Sequence, residues 1–124
     1  MVMILNVLFK MIEMISEARL QQEIFTYHWN NFPKERGLLF MVYNNAINKI
    51  QGAKLKSQGM VAGVSDMIYL SPNTHAPILM EIKTLKGSQS PKQKKWETLV
   101  VKNGFCYGLV RNLDSAKKLC GWIQ

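Results

Sequence analysis

Asp66, Glu81 and Lys83 are the residues whose types and spacing point to chemistry. Glu81 and Lys83 stand two apart in "PILMEIKTLKG", a run that reads as a strand. Alternation puts Ile78, Met80 and Ile82 on one face and Leu79, Glu81, Lys83 and Leu85 on the other. An acid and a base therefore share one face of a half-buried strand. Asp66 precedes Glu81 across the turn-forming stretch "SPNTHAP", Ser71–Pro77, so a hairpin brings the two carboxylates close. Two such groups repel unless one is protonated or a cation bridges them. Hard oxygen ligands suit Mg²⁺ or Mn²⁺. A lysine beside them can balance charge, position a water nucleophile or stabilise a developing phosphorane. The pattern D-(x)14-E-x-K thus describes a metal-dependent phosphodiesterase site. On spacing alone, a cross-strand ion pair on a solvated face is the simpler account, because such pairs are common and cost little.

The elements that must position these residues follow from capping signals and periodicity. Ser16 is a candidate N-cap with Glu17 in the first turn. Leu20, Ile24 and Tyr27 or His28 form a helical stripe that ends near Asn31, before Pro33. Gly37–Asn44 reads as a short apolar strand. The basic stretch "NAINKIQGAKLKSQG" reads as a helix or helical turn weakened by Gly52. A glycine-containing loop then enters a strand near Asp66, and Ile78–Leu85 is the next strand. Ser90 caps a helix with Pro91 at its first position, and Gln93 completes an S-x-x-Q capping box. Trp96, Leu99, Val100 and Asn103 line one side of that helix, and Gly104 closes it. Phe105–Arg111 is a strand. Asp114 caps a last helix with Leu119, Cys120 and Ile123 inward. The order α-β-α-β-β-α-β-α predicts one α/β domain with a small mixed sheet.

The chain has 124 residues, enough for one domain with a real core, and 48% of them are hydrophobic, which argues against disorder. A net charge of +8 favours a polyanionic partner. Cys106 and Cys120 lack a CxxC pattern and a neighbouring histidine, so they read as reduced thiols. His28 and His75 are isolated from each other in sequence, which speaks against a zinc site or a histidine-based nucleophile. At the N-terminus, the apolar run Val2–Phe9 is too short to span a bilayer and lacks signal-peptide features. Ile4, Leu5, Leu8, Met11, Ile12 and Ile15 recur at helical spacing. Residues 1–15 are therefore expected to form an amphipathic helix that packs on the body or on a partner chain, followed by a domain over 16–124. Its polar residues, Asn6, Lys10 and Glu13, carry too little positive charge for a membrane anchor. An in-frame Met14 leaves a shorter natural start open.

"MVAGVSDMIYL", "PILMEIKTLKGSQSPKQKKW" and "NGFCYGLVRNLDSA" together resemble the VRR-NUC domain, a branch of the PD-(D/E)xK nucleases. The matching features are Gly63-Val64-Ser65-Asp66, Glu81-Ile82-Lys83, Gly87, and Ser90 through Gln93. Ser65 stands where the family usually has proline, which leaves the turn freer.

The resemblance implies a restriction-endonuclease-like fold, with a small mixed sheet flanked by helices, and an Mg²⁺- or Mn²⁺-dependent endonuclease acting on DNA. It implies Asp66, Glu81, Lys83 and Gln93 at the reacting centre, with Glu17, Asp66, Glu81 and the Ile82 carbonyl toward the metal. Glu17 fits the family's E-x-x-(I/L)-Q helix pattern, while Glu23 and Glu13 are the other candidates. Gln93 is open to two readings, a cap of its own helix and a contact in the active centre. Asn44, Lys54, Lys56, Lys86, Ser90, Lys92 and Lys94 are candidate DNA contacts. Stand-alone domains of this kind are similar to structure-selective nucleases of branched DNA or Holliday junctions. A homodimer in the cytoplasm of a bacterial or phage-infected cell is the corresponding expectation. The alternative is a catalytically inactive nucleic-acid-binding module with the same fold.

Overall fold

The computed structural model describes residues 2–13, 16–44 and 48–122, with side chains for all of these except 9–13. The expectations for Met14, Ile15, Asn45–Ile47 and Ile123, and for the side chains of Met11, Ile12 and Glu13, lie outside the described residues. The helices are α1 (Val2–Glu13), α2 (Glu17–Asn31), α3 (Lys49–Ser57), α4 (Pro91–Lys102) and α5 (Leu113–Cys120). The strands are β1 (Leu39–Met41), β2 (Met67–Ser71), β3 (Ala76–Ile82) and β4 (Cys106–Val110), and a 3₁₀ turn covers Pro33–Glu35.

The four strands form one mixed sheet in the order β1-β2-β3-β4. The β1–β2 and β2–β3 pairs are antiparallel, and β3 pairs with β4 in parallel. A parallel pair needs a crossover, and α4 supplies it. The β2–β3 hairpin is tighter than its turn-rich sequence suggests. Ser71 pairs with Ala76 and Leu70 with Pro77, so the ladder extends into the stretch read as a turn. Three strands are shorter than their apolar runs. β1 is an edge strand of three residues. β3 stops at Ile82, although Lys83 N–H still donates to the Val110 carbonyl at 2.9 Å. β4 leaves out Phe105 and Arg111.

One face of the sheet carries the apolar core. Met67, Tyr69, Ile78, Met80, Ile82 and Val110 meet Leu20 and Ile24 of α2 and Ala116 and Cys120 of α5. Burying each large side chain there contributes about 1.5–3 kcal/mol. His28 is buried in the same layer, where its Nε2 meets Glu35 Oε1 at 3.1 Å. Tyr69 OH donates to that oxygen at 2.6 Å. This network gives the histidine a structural partner and ties the end of α2 to β2. Burial first, and Glu35 second, push the Tyr69 hydroxyl up to about 12, so it stays a donor.

The capping expectations hold at Ser16, which accepts from Arg19 N–H, and at Ser90. They fail at Asp114. Asn112 is the N-cap of α5 and accepts from Ser115 N–H, leaving Asp114 in the first turn. Both residue types cap well, and the end of β4 at Val110 lets the helix begin early. In α4 Val100 is buried and Trp96 is half-buried against Tyr107, whereas Leu99 and Asn103 are exposed. Cys120 lies in the core, but Cys106 is exposed. The described side chains of α1 do not pack on the body. Val2, Met3, Ile4, Leu5, Val7 and Leu8 are 48–80% exposed. No helix among the described residues is long and apolar enough to cross a membrane.

Candidate active site

β3 is the strand that positions the chemistry, because both of its faces are covered. α2 and α5 lie against its apolar side, and α4 crosses the other side through β4. Glu81 is 0% exposed and Lys83 is 7% exposed. The face read as half-buried is therefore interior, and a solvated surface ion pair does not describe it. Taking an acid and a base out of water costs several kcal/mol per ion before their attraction is counted. Such an arrangement calls for partners that hold each group.

Asp66 sits just before β2, and its Oδ2 accepts from Ile82 N–H at 2.7 Å. That bond fixes the hairpin register at the site and sets the Asp66 carboxylate beside Glu81. Burial, then the neighbouring Asp66 carboxylate, push the Glu81 carboxyl up to about 8. Lys83 opposes this shift less strongly. Lys83 Nζ lies 3.9 Å from Glu81 Oε1 and 3.8 Å from Glu17 Oε1. The α2 residue brought to the lysine is thus Glu17 in the first turn. Glu23 is exposed and lines two grooves, one of them shared with Thr84, Leu85 and Arg111.

Gln93 caps its own helix and also touches the buried acid on β3. Its Oε1 accepts from Ser90 N–H at 2.8 Å, and Ser90 Oγ accepts from Gln93 N–H at 3.2 Å. Its Nε2 donates to Glu81 Oε1 at 2.9 Å. The capping box that starts α4 therefore also holds the acid on β3. Glu81 Oε2 is left buried with no hydrogen-bond partner.

The turn before Asp66 is anchored at two points. Gly63 has φ +89, and a methyl group placed on it would lie 2.4 Å from the Lys92 carbonyl oxygen. This close approach seats the loop on the first turn of α4. Ser65 is fully buried, and its hydroxyl donates to the Met67 carbonyl at 3.2 Å. The turn is thus held by a side-chain bond where the family's proline would act through the ring.

Asn44 is half-buried beyond β1 and makes no hydrogen bond to Asp66, Glu81, Lys83 or Gln93. Lys54 and Lys56 are exposed on α3, and Lys86, Ser90, Lys92 and Lys94 are exposed in the loop and first turn leading into α4. The sequence reading missed Tyr107 and Gln89. Tyr107 is pushed up by burial first and by Glu81 second, which places it in the same electrostatic neighbourhood. Gln89 Nε2 donates to Tyr107 OH at 3.0 Å and to Glu97 at 3.2 Å. Alternation in β4 could have flagged Tyr107, but only once the β3–β4 pairing was known.

The donor set suits a small hard cation. Glu81 Oε2 is buried with no donor aimed at it, and Asp66 supplies a second carboxylate beside Glu81. Among the described residues, no group of three His, Cys, Asp or Glu side chains is disposed as a metal cage. Magnesium does not require one, since it keeps several waters and takes one or two carboxylates.

A family model for the VRR-NUC domain matches residues 10–112. A solved structure described as a "VRR_NUC domain protein" aligns with a TM-score of 0.69 and 19% identity, covering 86% of this chain and 85% of that chain. At that identity the likeness speaks to the fold. No curated protein matches the sequence.

Proposed function

Because this chain belongs to the VRR-NUC family, a family of nucleases, we propose that it is an Mg²⁺- or Mn²⁺-dependent endonuclease acting on DNA. The observation that carries this reading is the pair of buried charges Glu81 and Lys83 beside the half-buried Asp66, with Glu81 Oε2 lacking a donor. A buried charge cluster is a poor device for stability alone, since well-packed apolar residues often do as well or better.

Asp66 and Glu81 would hold the cation, with Glu17 assisting directly or through water and the Ile82 carbonyl as a further oxygen. When bound, the metal would supply Lewis-acid polarisation of the phosphate and a more acidic water. Lys83 keeps its ammonium near Glu81 and Glu17, where it can stabilise negative charge developing on the phosphoryl oxygens. Gln93 fixes the direction of Glu81 by donating to Oε1. Asn44, Lys54, Lys56, Lys86, Ser90, Lys92 and Lys94 would contact the DNA backbone. Contacts of that kind bind phosphate without reading sequence. They make affinity fall steeply with salt. Branched DNA is the substrate class the family resemblance favours. The exposed apolar side chains of α1 suit a two-fold dimer that matches a symmetric junction.

Labelled single-stranded, duplex, flap and four-way-junction DNA, incubated with Mg²⁺ or Mn²⁺, test the proposal. The wild type should cleave the branched substrates fastest. Asp66→Asn retains an acceptor for Ile82 N–H, and Lys83→Met retains the buried stem. Both variants should fold, and both should lose cleavage. Full activity in both would refute the assignment. Failure of the wild type to bind Mn²⁺ by calorimetry, with DNA binding intact, would favour the inactive binding module.

A further inference from the structure

Arg111 plays no part in the chemistry above, yet its guanidinium gathers the backbone beside it. Nη1 donates its two hydrogens to the carbonyl oxygens of Thr84 and of Gly87 at 2.8 Å, with the Leu85 carbonyl oxygen sharing one of them at 3.3 Å. These carbonyls belong to the turn that leaves the sheet immediately after Lys83. Gly87 N–H reaches Thr84 Oγ1 at 3.1 Å and the Thr84 carbonyl at 3.2 Å. Carbonyl dipoles converging on one point repel, and a cation with several donors offsets that repulsion. Arginine is suited to this because its head is planar, rich in donors and always charged.

The clamp is anchored on one side and reaches the site on the other. Arg111 N–H donates to Ser115 Oγ at 3.2 Å, which fixes its backbone to the start of α5. The preceding residue, Val110, accepts from Lys83 N–H. Across the turn, a methyl placed on Gly87 would lie 3.6 Å from Glu17 Oε1. That same oxygen is the one 3.8 Å from Lys83 Nζ. Arg111, the turn, Glu17 and Lys83 are therefore contiguous.

We propose that Arg111 is a positioning residue, clamping the Thr84–Gly87 turn so that Lys83 is held between Glu17 and Glu81. The clamp itself is independent of the nuclease reading, while its effect on catalysis rests on that reading. The same turn carries Lys86, so its geometry also sets one of the proposed phosphate contacts.

The test compares full-length wild type, Arg111→Ala, Arg111→Met and Arg111→Lys by residue-resolved amide exchange and by steady-state cleavage. In Arg111→Ala, exchange at Gly87 should rise by about tenfold or more, while Met80 to Ile82 keep their protection. The kcat should fall on the order of 10–100-fold with little change in KM, the loss expected of a misplaced group. Millimolar guanidinium ion should restore part of the kcat in Arg111→Ala but not in Arg111→Met, whose side chain fills the space. Arg111→Lys keeps a cation and should show intermediate losses in both readouts, which preserves the test if the alanine variant unfolds. Unchanged exchange at Gly87 overturns the clamp. A loosened turn with wild-type kcat overturns its catalytic role. A wild type that cleaves nothing overturns the nuclease reading instead, and the exchange data still decide whether Arg111 holds the turn.

Discussion

Replacing Gly63 with alanine probes the contact between the Asp66 loop and the first turn of α4. Two effects combine at this position. Gly63 has φ +89, where an L-residue costs about 1–2 kcal/mol. An added methyl would also lie 2.4 Å from the Lys92 carbonyl oxygen, 2.6 Å from its carbon and 3.0 Å from Gln93 N. These are backbone atoms of a capped helix, so no flexible side chain can yield. Overpacking of this kind adds about 1–3 kcal/mol. The expected loss is thus about 2–5 kcal/mol, the sum of those two effects. Gly59 provides the control. It has φ +110, and a methyl there meets nothing within 4 Å. Gly59→Ala bears the backbone cost alone, and the entropic gain of alanine in the unfolded chain is common to both variants. Urea unfolding followed by far-UV circular dichroism, with slopes checked for equality, gives the difference directly. Gly63→Ala should be the less stable by about 1–3 kcal/mol. Equal destabilisation of the two variants would show that the loop does not rest on α4, and the geometry argued for Asp66 and Gln93 would go with it.

The Glu81 carboxyl makes a pH-dependent contribution with a defined sign. In metal-free protein, burial and Asp66 hold it up at about 8, whereas in the unfolded chain it returns to the ordinary carboxylate range. The folded state binds that proton more tightly, so the contribution is present at low pH and lost as pH rises through about 8. Measured in chelator, wild-type stability relative to Glu81→Gln should fall by up to about 1.4 kcal/mol per pH unit across that window, then level off. A difference that stays flat from the ordinary carboxylate range to about 8 contradicts the burial argument. Gln93→Glu separates the two duties of Gln93. It keeps an oxygen for Ser90 N–H but replaces the amide donor to Glu81 with a second carboxylate. The helical signal of α4 should survive while cleavage drops roughly 10²-fold; joint loss of helix and activity would mean the two duties cannot be separated.

Much of the site is legible in local sequence because its elements are marked by short-range chemistry. Ser90, Pro91 and Gln93 announce a helix start within four residues, and the helix begins there. Asp66 and Glu81 flank a turn-rich stretch, and the hairpin brings them together. What is not legible is long-range. The alternation around Glu81 suggests a half-exposed strand, because the cover provided by α4 is a tertiary fact. The guanidinium of Arg111 carries no local signal, since its partners lie 24 to 27 residues away. The choice between Asn112 and Asp114 as a cap depends on where β4 ends, which its apolar run does not mark. The shortness of β1 has the same origin: as an edge strand it has one neighbour, and its ladder gives way to the Val42–Asp66 bond just before the site.

The amide of Gln93 has a consequence for motion. A glutamine at a surface can exchange the ends of its amide at little cost, because each end finds water. Here a half-turn of that amide would set its NH₂ against Ser90 N–H and its oxygen against Glu81 Oε1, losing both bonds together. The side chain is keyed from two directions. Fraying of the first turn of α4, an ordinary event at a helix end, therefore unlatches the acid on β3. Opening of the helix terminus and release of Glu81 become a single event. The lifetime of that first turn then sets an upper limit on how long Gln93 holds Glu81.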